Sequence, residues 1–347
     1  MQGKRANWWE STQAIEYKKS QGGPVVRRAE EVHIVCVGST NFDLVVKADR
    51  LPKEGESMLA TNLKFFPGGK GANQAVAVAR LGAQSTFIGS VGNDMIGDFL
   101  IEGLGGCGID TGWVKRDPVT TTGCAFIMLF PNGNNSIVVD PAANFSLTPA
   151  DIERAADVIA KADALCTVLE IPLNVVEAAL RVARKAGKLT VLDAGPPRHC
   201  PPEILKLADI VSPNETELEH LSGEKVSGRV SAREAAEKLF EAGVKTVVLK
   251  LGSDGSMLVT RKGSKHFPAC KVEAVDPTAA GDAFTAALTV QVAMGAPIED
   301  AIRYANLAGA LAVTKLGAQP SLPTKEEVEA FAARVQSTSG PTTSRKK

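Results

Sequence analysis

The sequence predicts an α/β fold, a doubly wound and mostly parallel sheet flanked by helices, with a small β-sheet lid set on it. Three observations carry this. From Thr148 onward, short apolar runs of strand character alternate with longer stretches of helical period, and such alternation builds right-handed βαβ units. Before that point, two β-type runs flank the turn Pro131-Asn132-Gly133-Asn134, a hairpin signal in a sheet too small to stand alone. Polar residues also gather just past the ends of the apolar runs, where open parallel sheets bind ligands.

Composition narrows the class. A chain of 347 residues with 44% hydrophobic content can bury one large α/β domain with an insertion, and residues 32–336 are expected to form it. Lys+Arg and Asp+Glu both number 39, so no basic surplus points to nucleic acid or an anionic membrane. Six cysteines (Cys36, Cys107, Cys124, Cys166, Cys200, Cys270) contain no C-x-x-C pair and accompany only four histidines. Neither a zinc site nor a disulfide framework is indicated. No apolar run reaches membrane-spanning length and the first residues lack the apolar core of a secretory signal, so a cytoplasmic protein is expected. Residues 1–31 mix Lys4, Arg5, Lys18 and Lys19 with Glu10, Glu16 and Glu30 and read as a mobile extension. The Ser/Thr-rich, basic stretch 337–347 reads as a disordered tail.

Taken in order, His33 to Val37 is a buried-strand run ending at Gly38, and Asn41-Phe42-Asp43 follows directly. Asn41 and Asp43 then stand where ligand contacts stand, an amide and a carboxylate suited to sugar hydroxyls, although an ordinary Asx turn has the same composition. Ser57 to Phe66 shows partial alternation and leads into Gly68-Gly69-Lys70-Gly71-Ala72-Asn73 and an alanine-rich helix closed by Gly82. The glycines permit close approach of backbone to a ligand, and Lys70 and Asn73 could reach its polar groups. The nucleotide-binding spacing G-x-x-x-x-G-K-[ST] is missing, which assigns this stretch to the acceptor. Gly103, Gly105 and Gly108 spell a G-x-G-x-x-G, but it follows a helical stretch and opens no helix, so the dinucleotide reading fails on context. Gly123 to Phe130 and Asn135 to Val139 pair as a hairpin and, with residues 57–66, make the expected lid. A sheet of so few strands should pack on the domain or on a second copy of itself, which predicts a homodimer.

The regular half begins with a helix from Pro149 to Lys161 and a strand from Leu165 to Leu169 with Glu170 at its end. A helix from Asn174 to Lys185, strands at 189–192 and 210–211, helices near 214–221 and 232–242, and a strand at 246–249 follow. Asp193, Asn214, Lys250 and the turn Gly252-Ser253-Asp254-Gly255 lie past these strand ends. Asn214 and Glu217 fit a capping box, and equally a site where Glu217 orders water around Mg²⁺. Glu170 reads either as a plain strand end or as a water-mediated contact to the same ion.

The strongest stretch is Asp276-Pro277-Thr278-Ala279-Ala280-Gly281-Asp282, placed after a short β-type run from Cys270 to Val275 and at the head of an apolar helix. Its backbone N–H groups and the helix dipole converge on one point that attracts an anion. Asp282 beside that point suits phosphoryl transfer: the anion hole stabilises charge on the moving phosphoryl group and the carboxylate accepts the proton of an attacking hydroxyl. The same carboxylate could merely cap a buried helix. Ala301 to Leu311 is a further helix, carrying Asn306, and the loop 315–321 has carbonyls that could ring a monovalent cation.

These motifs occur in the order seen in the PfkB, or ribokinase-like, family of carbohydrate kinases, and the span from Val32 to Val335 resembles it throughout. The matching stretches are Asn41-Phe42-Asp43, Gly68 to Gln74, Asn214 to Glu217, Ala279 to Asp282 and Gly317 to Ser321. The resemblance implies a Rossmann-like domain with a β-sheet lid, ATP with Mg²⁺ as donor, K⁺ as activator and D-ribose as acceptor at its 5-hydroxyl. It makes Asp282 the base, with Ala279, Ala280 and Gly281 supplying the anion hole. Asn41, Phe42, Asp43, Gly68, Gly69, Lys70, Gly71, Asn73 and Glu170 would surround the sugar. Asn214, Glu217, Lys250, Leu251, Gly252, Ser253, Asp254, Gly255, Gly281 and Asn306 would line the nucleotide site. Asp276, Thr278, Ala312, Lys315, Gly317 and Ser321 would hold the monovalent cation. Three residues depart from the family pattern. Lys250 replaces a Thr and puts a cation beside the nucleotide, Pro277 removes one backbone donor from the turn, and Asp140 places a carboxylate in the second strand of the lid hairpin.

Overall fold

Alternate residues of the central strands are apolar on both faces, which forces helices onto both sides of the sheet. In β1 (His33–Val37), Ile34 and Cys36 enter one core while Val35 and Val37 enter another. The computed structural model describes residues 26–131 and 135–338. After β1 come β2 (Asn41–Lys47), β3 (Thr61–Gly68), α1 (Lys70–Arg80), β4 (Gln84–Gly92), α2 (Met95–Gly106) and β5 (Asp110–Asp117). Next are β6 (Cys124–Leu129), β7 (Asn135–Asp140), α3 (Pro149–Arg154), α4 (Ala156–Lys161), β8 (Ala164–Val168), α5 (Leu173–Lys185) and β9 (Leu189–Asp193). The chain continues through α6 (Pro202–Leu205), β10 (Ile210–Ser212), α7 (Glu215–Ser222), α8 (Arg229–Lys238), β11 (Thr246–Lys250), β12 (Ser256–Thr260) and β13 (Gly263–Phe267). It closes with α9 (Ala280–Ala293), α10 (Ile298–Ala312), α11 (Ala318–Ser321) and α12 (Lys325–Thr338).

The main sheet has nine strands in the order β13-β12-β11-β10-β9-β8-β1-β4-β5. Every pairing is parallel except those of β12 with its two neighbours. From β1 the chain winds outward to β4 and β5, then returns to β8 on the other side and winds outward again. The reversal leaves a crevice beyond the carboxyl ends of β1 and β8. The expected doubly wound, mostly parallel sheet is therefore present.

The lid is a second sheet of four strands, β3-β2-β6-β7. The hairpin β6/β7 was expected and its pairing runs from Cys124↔Asp140 to Leu129↔Asn135. β2 was not expected: Asn41 and Asp43 open a lid strand, not a turn, and pair with Gly68 and Phe66 of β3. β4 and β5 were also missed as strands. The run from Cys270 to Val275 is not a strand. The sheet already ends in β13 on that side, and the N–H groups of Val275 and Asp276 both donate to the Val313 carbonyl at the end of α10, at 2.7 and 3.1 Å.

The folded part also begins earlier than residue 32. Arg27 donates its N–H to the Met294 carbonyl at 2.9 Å, its guanidinium pairs with Asp163 at 2.8 Å, and Ala29 is buried. Residues 1–25 of the expected extension, residues 132–134 of the hairpin turn and residues 339–347 of the expected tail lie outside the described residues. Among the described residues, no helix is long and apolar enough to cross a membrane.

Close backbone contact fixes the crevice. Gly38, at the end of β1, meets Gly71 in the first turn of α1, and a Cβ on Gly71 would lie 2.5 Å from the Gly38 Cα. Gly69 has a φ of +87° and its Cβ would lie 2.6 Å from the Thr40 Cα, so it needs glycine both for conformation and for space. Gly103 lies in α2 with nothing within 4 Å of its Cβ position. Urea denaturation should separate the two cases: Gly71→Ala loses about 1–3 kcal/mol from overpacking, whereas Gly103→Ala gains about 0.5–1 kcal/mol from a stiffer unfolded chain.

Candidate active site

At the head of α9, Ala279 takes a left-handed φ of 62° and no side chain caps the helix. The Ala280 N–H donates to the Pro277 carbonyl at 3.3 Å, and the N–H groups of Gly281 and Asp282 are left for an external anion. Asp282 sits in that turn and is 3% exposed. Asn73 donates its Nδ2 to Asp282 Oδ2 at 2.8 Å, and Lys70 Nζ stands 3.8 Å from Oδ1. Among the described residues, Asp282 Oδ1 is buried and accepts no hydrogen bond. Burial pushes the Asp282 carboxyl up to about 6, against the pull of Lys70 and with Asp193 adding to the push.

One half of the site comes from β2, β3, α1 and the end of β8. Lys70 donates its backbone N–H to Glu170 Oε2 at 3.2 Å, and the Ser39 hydroxyl donates to the same oxygen. Asp43 fits only because its neighbour is glycine, since a Cβ on Gly68 would lie 2.2 Å from Asp43 Oδ2. Burial, then the charges of Glu170 and Asp282, push the Asp43 carboxyl up to about 7. Asp43, Glu170 and Asp282 are thus close enough to repel one another, and Lys70 stands among them. Burial lowers the Lys70 pKa, but Asp282, Asp193, Glu217 and Glu170 outweigh it and hold the ammonium charged. Phe42 does not share this face: its ring stacks on Phe65 at 5.4 Å and meets the Phe99 edge at 5.7 Å.

The other half lies along β9, α7 and β11. The capping box at α7 is formed, with Asn214 N–H donating to Glu217 Oε2 at 2.7 Å and Glu217 N–H to Asn214 Oδ1 at 2.8 Å. Glu217 is nevertheless buried and turned inward, its Oε2 3.7 Å from Lys250 Nζ. Lys250 donates to Asp193 Oδ1 at 3.0 Å. A Cβ on Gly281 would lie 3.6 Å from that same Nζ, so the Lys250 cation adjoins the mouth of the anion hole. Burial lowers the Lys250 pKa, and Asp193 and Glu217 more than offset this, leaving it raised. The turn after β11 is a short 3₁₀ helix, Gly252–Asp254, closed by the Leu251 N–H donating to the Gly255 carbonyl at 2.8 Å. Gly255 has a φ of +94° and no room for a Cβ, which would lie 2.1 Å from the Phe267 carbonyl. Ser253 is exposed, and the Asp254 carboxylate faces outward to Arg229 at 3.2 Å. Asn306 donates its Nδ2 to the Phe267 carbonyl at 3.3 Å.

Asp276 shapes the turn before α9. Its Oδ1 accepts from the Thr278 N–H at 2.9 Å and hydroxyl at 2.5 Å, and its Oδ2 accepts from the Gly317 N–H at 2.9 Å. These donors are neutral, and among the described residues no cationic side chain pairs with Asp276. That uncompensated carboxylate, tied to the 312–321 segment through the Gly317 N–H, has the charge and oxygen chemistry that suit a monovalent cation. Lys315 could contribute only its backbone, because its Nζ is bound to Glu327 at 2.6 Å. Ser321 is buried and donates its hydroxyl to the Ala318 carbonyl at 2.8 Å.

The most central residue was not among the expected site residues. Asp193, fully buried, accepts from Lys250, from Gln74 Nε2 at 2.9 Å, from the Thr285 hydroxyl at 3.0 Å and from the Gly195 N–H at 3.1 Å. Its place past a strand end was the only signal available. Gln74 closed the matching stretch Gly68 to Gln74 without a role of its own, and Thr285, on an apolar helix, gave no signal.

This arrangement can be set beside known proteins. The model of the pfkB family carbohydrate kinases matches residues 32–325. A ribokinase of Staphylococcus aureus is 40% identical over 297 residues, covering 85% of this chain and 98% of the relative. The solved ribokinase of Thermotoga maritima is 40% identical with a TM-score of 0.79, over 87% of this chain and 99% of that one. The Arabidopsis thaliana ribokinase, solved in complex with ribose and ATP, is 36% identical with a TM-score of 0.79, over 86% and 98% of the two chains. Matched along nearly its whole folded length in both sequence and structure, the chain belongs to the pfkB family of carbohydrate kinases.

Proposed function

We propose that this protein is an ATP-dependent ribokinase that phosphorylates D-ribose on its 5-hydroxyl, with Asp282 as the general base. The observation that carries the chemistry is Asp282 itself: a buried carboxylate with one free oxygen at the open, uncapped head of a helix. The ribokinase relatives, one of them solved with ribose and ATP, support the choice of substrates. Asn41, Asp43, Lys70 and Glu170 offer donors and acceptors to the sugar hydroxyls on the lid side. The nucleotide lies along Asn214, Lys250 and the Gly252–Gly255 turn, with Mg-ATP as the substrate form.

Asp282 Oδ1 takes the proton of the 5-hydroxyl as the new O–P bond forms to the γ-phosphorus, and the bond to the bridging β–γ oxygen breaks to release ADP. The first-turn N–H groups of α9 and the Lys250 ammonium stabilise the charge that spreads over the phosphoryl oxygens. Lys70 and Asn73 hold the carboxylate in place. A monovalent cation at the Asp276 loop would neutralise Asp276 and fix the turn that shapes the anion hole, through Asp276, Thr278 and the carbonyls of Ala312, Lys315 and Gly317.

The outer face of the lid supports a homodimer. Phe65, Phe126 and Val138 form one cross-strand row with Leu44, and they are 54%, 49% and 69% exposed. A row of this kind is costly to leave in water and suits a second copy of the same sheet.

Three measurements test this reading. Asp282→Asn keeps the size and the capping capacity but not the base, so kcat with ribose should fall by roughly 10² to 10⁴, while ribose affinity by calorimetry changes little. In the wild type, kcat should drop as pH falls through about 6, where Asp282 becomes protonated. The stability effect has the opposite sign, because a carboxyl whose pKa is raised on folding favours the fold below its unfolded value and loses that contribution as pH rises through about 6. Melting temperatures should accordingly favour Asp282→Asn over the wild type more at pH 8 than at pH 5. Normal turnover by the variant would refute the assignment.

Potassium should raise kcat over an equal concentration of tetramethylammonium, and Asp276→Asn should erase the difference; equal wild-type rates in the two salts would remove the cation from the scheme. Light scattering should report a dimer that Phe65→Asp with Val138→Asp converts to a monomer, and a monomeric wild type would exclude a shared lid.

A further inference from the structure

Three lid strands meet the main domain at one buried amide, Asn144, which lies in the 3₁₀ turn Ala142–Ser146 after β7 and is 1% exposed. Asn144 Oδ1 accepts the Thr40 N–H at 2.9 Å. Its Nδ2 donates to the Thr40 carbonyl at 3.2 Å and to Asn41 Oδ1 at 2.8 Å. The Thr40 N–H can only donate and the Thr40 carbonyl can only accept, so the orientation of the Asn144 amide is fixed by backbone. That orientation in turn leaves Asn41 a single choice. It must turn Oδ1 toward Asn144, and its Nδ2 becomes the free end of the amide; among the described residues Asn144 is the only side chain bonded to the Asn41 amide. The pair is also closely enclosed: a Cβ on Gly123, at the root of β6, would lie 2.3 Å from Asn144 Nδ2 and 2.7 Å from Asn41 Oδ1.

From this the geometry points to Asn144 as a positioning residue for sugar recognition, one that touches no substrate but sets Asn41 as a hydrogen-bond donor. The inference rests on the proposal that Asn41 faces the sugar. Asn41 and Asp43 lie on the same face of β2, and above pH about 7, where Asp43 is ionised, its carboxylate can only accept. With Asn41 locked as a donor, the pair presents one donor and one acceptor to the hydroxyls of the sugar. If the Asn41 amide could rotate freely, this polarity would be lost and its ordering would be charged against ribose binding. Neither Asn144 nor its bond to Asn41 involves the nucleotide half, so the effect should be confined to the sugar.

A mutant cycle tests this with ribose binding by calorimetry and steady-state kinetics on the full chain. Asn144→Ala should weaken ribose binding by roughly tenfold, the worth of a hydrogen bond, with the KM for ATP unchanged. Asn41→Ala should weaken it by at least as much. In the double variant, Asn144→Ala should add nothing to Asn41→Ala, because its effect passes through the Asn41 amide. Additive losses, or an equal rise in the KM for ATP, would overturn the inference and leave Asn144 a structural clip at the base of the lid. Should Asn144→Ala fail to fold, Asn144→Ser runs the same cycle, its hydroxyl able to accept the Thr40 N–H but not also to reach Asn41. A wild type that neither binds nor turns over ribose would overturn the ribokinase proposal as well, whereas an active wild type with additive losses overturns this inference alone.

Discussion

The buried charge cluster around Lys70 and Lys250 is the constraint on which the site depends. Two ammonium groups stand among Asp193, Glu217, Glu170 and Asp282, and a buried charge is tolerated only where opposite charge and hydrogen bonds replace lost water. Asp193 meets that condition with four donors and stays ionised: burial works against it, and Lys250, Lys70 and the bonds to it prevail. Asp282 meets it only in part. It has one strong donor in Asn73 and a more distant Lys70, so its carboxyl sits higher than Asp193 although both are buried. Two neighbouring carboxylates thus take different roles from their surroundings, one a fixed anion and one poised to exchange a proton.

The departure at position 250 acquires a meaning in this setting. A threonine there would leave Asp193 with neutral donors alone and remove positive charge from the mouth of the anion hole. Lys250 joins the two, so the identity of residue 250 and the charge of residue 193 belong to one arrangement. Removing either partner alone would strip a buried charge of its nearest counter-charge, leaving Asp193 with Lys70 or Lys250 with Glu217, which is the costly direction. Pro277 is accommodated with less consequence, because the turn is held by the Asp276 carboxylate on either side of it, through Thr278 and Gly317.

The lid and the loop 315–321 are physically joined. Gly317, with a φ of +89°, has its Cβ position 3.0 Å from the Phe66 ring of β3, and its N–H is bound by Asp276. Any movement of β3 is felt at the carboxylate that orders the turn into α9. Residues from both parts, Asp43, Phe66, Ile127, Asp276 and Gly317 among them, line one small pocket beneath the lid. The lid strands and the turn into α9 are therefore packed on one another through Gly317 and Phe66.

What the sequence determined by itself was whatever is written in local pattern. The period-2 and period-3.6 runs after Thr148 give β8 through β11 and their helices. The glycine-containing turn before Asp282 gives an open helix start, because helix-start chemistry is set by adjacent residues. Tertiary structure decided the rest, where the partner is remote. β2 opens on residues with the composition of an Asx turn and becomes a lid strand only by pairing with β3 and β6. The run at Cys270 to Val275 has strand-like composition but no free sheet edge to join. Asp193 and Asn144 show their roles only when Lys250, Gln74, Thr285, Thr40 and Asn41 are brought to them across 57 or more residues, since a buried polar group is defined by its partners and not by its neighbours in the chain.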